Sequence, residues 1–311
     1  MAQKVIIVVC DGMDDESIAT LGGKTPFEAA DTPALDALIR TGSYLKAETI
    51  PDGLPATSEV GNLSILGYLP DEITPGRAAF EAIDGGMNVN TEKRYARVNR
   101  LKVSDGKVID VANCQPGVVE VNDSTKVHES SPYDLIGKPH NGSEQWIWSE
   151  AEAPHLRPYS EIIGERKCAM VAATPLIRGI GKYLGFDVIT PEGATGDCAT
   201  DYRSKADAAI EALKSHDMVF IHVESCDEAS HRGAVQDKVK AIENIDSQLI
   251  APILAAAMYM DFSLAVLADH PSLCRTRSHI AAPVNAIVFP KVKTDEAVLP
   301  ASELIKLLWQ R

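Results

Sequence analysis

The sequence predicts an α/β fold, a doubly wound, mostly parallel sheet carrying a small inserted α+β cap. Three observations predict it: short Val- and Ile-rich runs recur along the chain, helical patterns fall between them, and one polar, loop-rich stretch interrupts the alternation. At 311 residues the chain can bury a large core and still carry an insert.

The apolar runs are "KVIIVV" (4–9), "CAMVAA" (168–173), "DVIT" (187–190), "MVFIHV" (218–223), "FSLAVLA" (262–268) and "NAIVF" (285–289). Continuous apolar character bounded by turn residues fits strands covered on both faces. Between them, "PALDALIRTG", "PLIRGIGKYLG", "RSKADAAIEALKSH" and "DKVKAIENIDSQLIAPILAAAM" space their apolar residues at the helical period. This alternation argues for a parallel sheet with helices on its faces. The tail "ASELIKLLWQR" has helical spacing too and is expected to pack back on the core.

From about Tyr95 to about Ser160 the chain turns polar. There "RVNRLKVSDGKVIDVANC" reads as a hairpin, two alternating runs flanking an Asp105-Gly106 turn. The resulting layout is a discontinuous core, 1–94 and 161–311, with a cap inserted at 95–160.

A formal charge of -14 and a pI near 5.0 provide no long-range field for nucleic acid or an anionic membrane, so an anionic substrate needs local charges to hold it. The six cysteines lack CxxC pairs and read as reduced thiols in a cytoplasmic protein. The apolar run before Asp11 is too short for a signal peptide. The late stretch "LIAPILAAAMYMDFSLAVLAD" is broken by Pro252 and Asp261 and falls short of a membrane span.

In open α/β sheets, ligands collect at the carboxyl ends of the strands. Asp11 follows "KVIIVVC", Asp227 follows "MVFIHVESC", and Asp269-His270 follows "FSLAVLA", so separate strands carry carboxylates to one edge. His231 lies about a helical turn beyond Asp227, and His279 lies nine residues beyond His270 in a loop that can fold back. Each element alone is more often a surface turn than a ligand. Their joint placement gives three Asp and three His, a complement for two adjacent ions about 3.5–4 Å apart in phosphoryl-transfer sites. Mixed imidazole and carboxylate ligands suit Zn or Mn better than Mg or Ca.

A nucleophile is then expected. In "PDGLPATSEVGNLSILGYLP", Ser58 stands on a turn before a helical pattern, with Thr57 as the neighbour to be distinguished from it. The plain reading of Ser58 is a helix N-cap. In the functional reading a phosphate beside it sits at a helix N-terminus, and a metal on its oxygen lowers the hydroxyl pKa.

The ordered set "VVCDGMDD", "GLPATSEVGNLSILGYLP", "GRAAFEAI", "WIW", "GATGDCATDYRSKA", "HVESCDEASHRG", "DKVKAIENID" and "ADHPS...RSH" resembles the archaeal-type cofactor-independent phosphoglycerate mutases of the alkaline phosphatase superfamily. The resemblance implies an alkaline phosphatase-like core and two divalent ions, Mn or Zn with Mg or Co as alternatives, without 2,3-bisphosphoglycerate. By the same resemblance Asp11, Ser58, Asp269 and His270 hold one ion, and Asp227, His231 and His279 hold the other. Ser58 takes the phosphoryl group of 3-phosphoglycerate and returns it to the 2-oxygen of the reoriented glycerate. Arg77, Arg178 and Lys205 are the implied contacts to this small phosphorylated carboxylate; their plain readings are ion pairs for the arginines and a helix-face residue for Lys205.

The resemblance is to a bacterial branch with a shortened cap, and a cap that excludes water is what separates a mutase from a phosphatase. A metal-dependent phosphomonoester hydrolase or phosphotransferase using the same site is therefore the alternative reading, and a non-catalytic relative with a degenerate site is the third. Glu224 stands where many archaeal relatives carry Lys, and Asn285 where a Pro is usual. Bacterial members with "HVE" have been proposed as homoserine kinases, yet "EGATGDCATDY" lacks the trailing GK[ST] of a phosphate-binding loop and reads as a tight strand-to-helix turn. His222 reads as a core histidine with a supporting role beside Asp227 as its alternative. His128, His140, His155 and His216 read as surface or cap residues.

Overall fold

The computed structural model describes residues 3–140, 145–294 and 296–310, without the side chains of 113–116. Its strands are β1 (Val5–Cys10), β2 (Ser43–Glu48), β3 (Arg94–Ser104), β4 (Lys107–Val121), β5 (Gln145–Glu152), β6 (Cys168–Val171), β7 (Asp187–Ile189), β8 (Met218–Val223), β9 (Ser263–Leu267), β10 (Ser272–Leu273), β11 (Ser278–His279), β12 (Val284–Phe289) and β13 (Leu299–Pro300). The helices are α1 (Pro26–Ala29), α2 (Pro33–Thr41), α3 (Ser58–Ile65), α4 (Ala78–Asp84), α5 (Ser160–Ile163), α6 (Pro175–Tyr183), α7 (Tyr202–Leu213), α8 (Ser225–Arg232), α9 (Val235–Asn244), α10 (Ala251–Ala256) and α11 (Ala301–Trp309).

Eight strands form one sheet in the order β13-β2-β12-β9-β1-β8-β6-β7. From β9 to β7 every neighbouring pair is parallel, and all residues of β1, β8 and β9 are buried, as continuous apolar runs require. β12 runs antiparallel to both β9 and β2. The α/β class and the mostly parallel sheet are as expected.

One strand was not expected, and two expected elements end or divide differently. The strand "SYLKAE" (β2) escaped notice because its lysine, serine and glutamate mask a short edge-side run that only pairing with β12 makes a strand. The long helical pattern after Asp237 divides into α9, a π-helical turn at Ile245–Ile250 and α10, because Pro252 has no N–H to continue a regular ladder. The expected strand at 168–173 ends at Val171, since the next residues turn into α6 with Pro175 at its first position.

The polar middle folds as a three-stranded antiparallel sheet, β4-β3-β5. The hairpin turns at Asp105 (φ 50°) and Gly106 (φ 70°), two left-handed residues that match the twist of the flanking strands. Among the described residues the insert holds a 3-10 turn at Pro132–Leu135 beside its antiparallel strands. It packs on α4 through Ala78, Ala79 and Ala82 against Tyr95, Val118 and Ala151. Five cysteines are free thiols, while Cys114 lies outside the described side chains. Among the described residues no helix is long and apolar enough to cross a membrane.

Candidate metal centre

The strands β9, β1 and β8 are neighbours, and their carboxyl ends deliver Asp269-His270, Asp11 and, in the first turn of α8, Asp227. Asp11, Asp227, Asp269 and His270 are all buried. On α8, Asp227 and His231 stand four residues apart and face the same point, with His231 Nε2 3.2 Å from Asp227 Oδ2. The short strand β11, paired with β10, brings His279 Nε2 to 3.1 Å from Asp227 Oδ1. His270 Nε2 lies 3.6 Å from Asp11 Oδ1, 3.7 Å from Asp269 Oδ2 and 3.3 Å from Ser58 Oγ. All seven residues expected from the sequence at this edge therefore meet, in two groups joined where the rings of His270 and His279 stack at 3.8 Å.

The donor set suits cations. His231 Nδ1 lies 3.0 Å from Arg277 O, and His279 Nδ1 lies 3.0 Å from Ala56 O. A carbonyl only accepts, so each Nδ1 carries a proton and Nε2 is the ring nitrogen left to face Asp227, as a donor to its carboxylate or as a lone pair for a cation. Those two Nε2 atoms are 3.0 Å apart beside the Asp227 carboxylate, an arrangement that needs positive charge among them. Burial pushes the Asp11 carboxyl well above the ordinary range, and the charges of Asp269, Asp227 and Glu224 push it further. Burial acts upward on Asp227 too, but its bonds with His231 and His279 outweigh that and hold it well below the ordinary range. Burial lowers His270, which favours the neutral imidazole a cation requires.

Ser58 is the first residue of α3, and Thr57 rather than Ser58 is its N-cap, without a side-chain cap bond. The serine hydroxyl is therefore not spent on capping. Its helix approaches the centre because Gly61 has no side chain: a Cβ there would stand 2.3 Å from Asp269 O. Gly12, at φ +64°, likewise admits Asp227, whose Cα would be 2.9 Å from an added Cβ.

Two supporting residues escaped the sequence reading. Asn62 donates from Nδ2 to Asp269 Oδ2 at 2.9 Å and to Ser58 O at 2.8 Å, orienting the carboxylate toward the centre. Ser272 donates from Oγ to Asp227 Oδ1 at 2.6 Å and lies 3.2 Å from His270 Nδ1, tying the two groups together. Their only sequence signal is position: Asn62 one helical turn after Ser58, Ser272 two residues after His270.

A cavity of about 480 Å³ opens between the insert sheet, α4, α6 and α8, and Glu224 and Glu228 line it on the side of the centre. Arg77 and Arg178 both line it, each already paired: Arg77 Nε donates to Glu81 Oε1 at 2.7 Å, and Arg178 Nε to Asp84 at 3.1 Å. Arg97, from β3, adds a third guanidinium, held by Glu81 Oε2 at 2.9 Å. Lys205 does not line this cavity; it is buried in the core, donates to His222 O at 3.0 Å, and burial brings its pKa down to about 8. His216, read from the sequence as a surface residue, is buried between Ala212 O and Asp187.

A mostly parallel α/β sheet with Asp, His and Ser side chains gathered at adjacent strand ends defines an α/β metalloenzyme. The model of the metalloenzyme superfamily matches residues 3–305. The chain is 34% identical to the 2,3-bisphosphoglycerate-independent phosphoglycerate mutase of Methanosarcina barkeri, covering 94% of this chain and 92% of that protein. It is 30% identical to 2,3-bisphosphoglycerate-independent phosphoglycerate mutase 2 of Methanothermobacter thermautotrophicus, over 93% of this chain and 89% of that one. In structure it is similar to the PH0037 protein of Pyrococcus horikoshii, with a TM-score of 0.81, 25% identity and coverage of 99% and 97%. The cofactor-independent phosphoglycerate mutase of Thermoplasma acidophilum shares the fold, with a TM-score of 0.65 at 20% identity over 99% of both chains. The chain belongs to the archaeal-type cofactor-independent phosphoglycerate mutase family of the metalloenzyme superfamily.

Proposed function

We propose that the protein interconverts 3-phosphoglycerate and 2-phosphoglycerate through a phosphoserine at Ser58, without 2,3-bisphosphoglycerate, in the cytoplasm. The observation that carries this reading is Ser58 Oγ, uncapped at the start of α3 and 3.3 Å from His270 Nε2 beside Asp11 and Asp269. Asp11, Ser58, Asp269 and His270 would hold one divalent cation, and Asp227, His231 and His279 a second, Mn or Zn by their mixed nitrogen and oxygen donors. Such cations polarise phosphoryl oxygens and lower the pKa of a hydroxyl nucleophile.

The side chains then do the following. Ser58 Oγ attacks phosphorus as the bond to the substrate's 3-oxygen breaks, leaving glycerate and a phosphoserine. The phosphate faces the free N–H groups of the first turn of α3, where the helix dipole favours an anion. Arg77, Arg178 and Arg97, on the cavity walls, hold glycerate by its carboxylate while it turns. The 2-oxygen attacks the phosphoserine, and Ser58 leaves as it was. The insert, 95–160, serves as the cap that keeps water from the phosphoserine during that turn.

A second reading rests on the cavity arginines, each of which is already paired with a carboxylate. Less positive charge is then free for glycerate, and water takes the phosphoryl group instead, making the protein a phosphomonoester hydrolase. One assay separates the two: 3-phosphoglycerate is supplied with Mn²⁺, and 2-phosphoglycerate and free phosphate are followed together. Isomer without phosphate is the expected result, and phosphate without isomer ends the mutase reading.

A further inference from the structure

Two connections leave the sheet with ligand residues. One departs from β1 at Asp11 and runs through Asp14 and Asp15; the other departs from β9 at Asp269-His270 and runs through Ser272 in β10. They meet at a bridge between Gly12 and Pro271, and Ser272 N donates to Asp14 O at 3.1 Å. The helix α9 reaches both from outside. Its Lys238 is fully buried, and Nζ donates to Asp14 O at 3.2 Å, to Asp15 Oδ2 at 3.0 Å and to Ser272 O at 2.7 Å. An ammonium carries three N–H groups, so each has its acceptor.

The side chain of Asp15 is as deeply buried as that of Lys238. Its Oδ2 also accepts from Cys274 N at 3.1 Å, just beyond β10. A buried ion pair seldom stabilises a fold more than apolar side chains of the same volume, because desolvating two charges offsets their attraction. What an ammonium adds is direction: its three bonds fix Ser272 relative to the Asp14-Asp15 turn. From that position Ser272 Oγ donates to Asp227 Oδ1 at 2.6 Å and lies 3.2 Å from His270 Nδ1. One residue therefore separates the ammonium from both groups of the centre.

We propose that Lys238 is a positioning residue for the metal centre: by holding Ser272 and the Asp14-Asp15 turn together, it sets Asp227, His270 and Asp11 at the separations a pair of cations needs. This role rests on the reading of those three residues as cation ligands. It does not involve the substrate cavity, which Asp14, Asp15 and Ser272 do not line.

The test sets metal affinity against stability. Asp15→Asn/Lys238→Met removes both charges together, so that no buried ion is left unpaired and an amide oxygen still accepts from Cys274 N. Lys238→Gln is the milder change and keeps two N–H donors. Each protein is stripped with chelator; its affinity for Mn²⁺ is measured by chelator competition, and its urea midpoint is measured without metal. The double variant is expected to bind Mn²⁺ about 10–100-fold more weakly at an unchanged urea midpoint, with Lys238→Gln between it and wild type. Equal affinities in wild type and Lys238→Gln overturn the role, even where the double variant yields no folded protein. Affinity and urea midpoint falling in step in both variants overturn it as well, because the loss then belongs to the fold. Wild-type protein that takes up no Mn²⁺ removes the cation reading and this role with it. Turnover is a separate measurement: weakened Mn²⁺ binding at constant stability, without isomerisation in wild type, leaves Lys238 in its role and removes only the mutase reading.

Discussion

Asn62 holds Asp269 from one turn below Ser58: its Nδ2 donates 2.9 Å to the Asp269 carboxylate and 2.8 Å to the Ser58 carbonyl. The nucleophile candidate and the carboxylate beside it are thus tied together through one side chain of α3.

Ser58 is the first residue to remove. Ser58→Ala is expected to lower turnover of 3-phosphoglycerate at least ~1000-fold, since the variant removes the covalent nucleophile. Acid-quenched reactions with ³²P-labelled substrate give labelled protein for wild type and none for the variant. Labelled Ser58→Ala protein would place the phosphoryl acceptor elsewhere.

Ser272 touches both groups of the centre, 2.6 Å from Asp227 and 3.2 Å from His270. Supporting partners of this kind are worth about 10–100-fold in metal affinity. Ser272→Ala is therefore expected to weaken Mn²⁺ by about that factor in a chelator competition, with the fold unchanged. Equal affinities would mean that Asp227 is held by its two histidines alone.

At Gly61 two effects oppose each other. Alanine gains about 1 kcal/mol of helix propensity, but its Cβ would stand 2.3 Å from the backbone oxygen of Asp269, which cannot rotate away. Overpacking of this kind costs about 1–3 kcal/mol, so Gly61→Ala is expected to be net destabilising in urea and to displace Ser58. A variant as stable as wild type would show that α3 is free to retreat.

Asp14 is expected to make stability depend on pH. Burial raises its carboxyl to about 6, against lowering contributions from its bonds with Asn285 and the charges of Lys46 and Lys238. Unfolded, it titrates near 3.9. Because the folded value is the higher one, the stability Asp14 contributes is complete below about pH 4 and is lost as pH rises through about 6. Asp14→Asn, which retains an acceptor for Asn285, is expected to be more stable than wild type at pH 7 by about 1–2 kcal/mol after allowance for partial exposure. The gap should close by pH 4 in parallel urea titrations; a gap independent of pH would assign the effect to packing.

Much of the centre was legible because strand-end chemistry leaves a linear trace. An apolar run followed at once by Asp, or Asp-His, announces both a buried strand and what it carries to the sheet edge, as Asp11 and Asp269-His270 do. The pair Asp227 and His231 added a helical period to the same signal. Lys205 shows the reverse. Its segment reads as a helix face open to solvent, and only the packing of α7 on β8 buries its ammonium at a backbone carbonyl.

The sequence by itself determined the class of fold, the strands β1, β8 and β9 and the residues at their ends, because hydrophobic period and turn chemistry are local properties. The tertiary structure alone decided that these strands are neighbours, that Asn62 and Ser272 brace the carboxylates, and that the cavity arginines arrive already paired. It also decided that His222 lies between Asp11 and Glu224, and that Lys238 of α9 reaches both ligand-bearing connections. Each of those is a meeting of side chains from separate elements, set by sheet order and by glycines that let backbones approach, and no spacing along one chain encodes it.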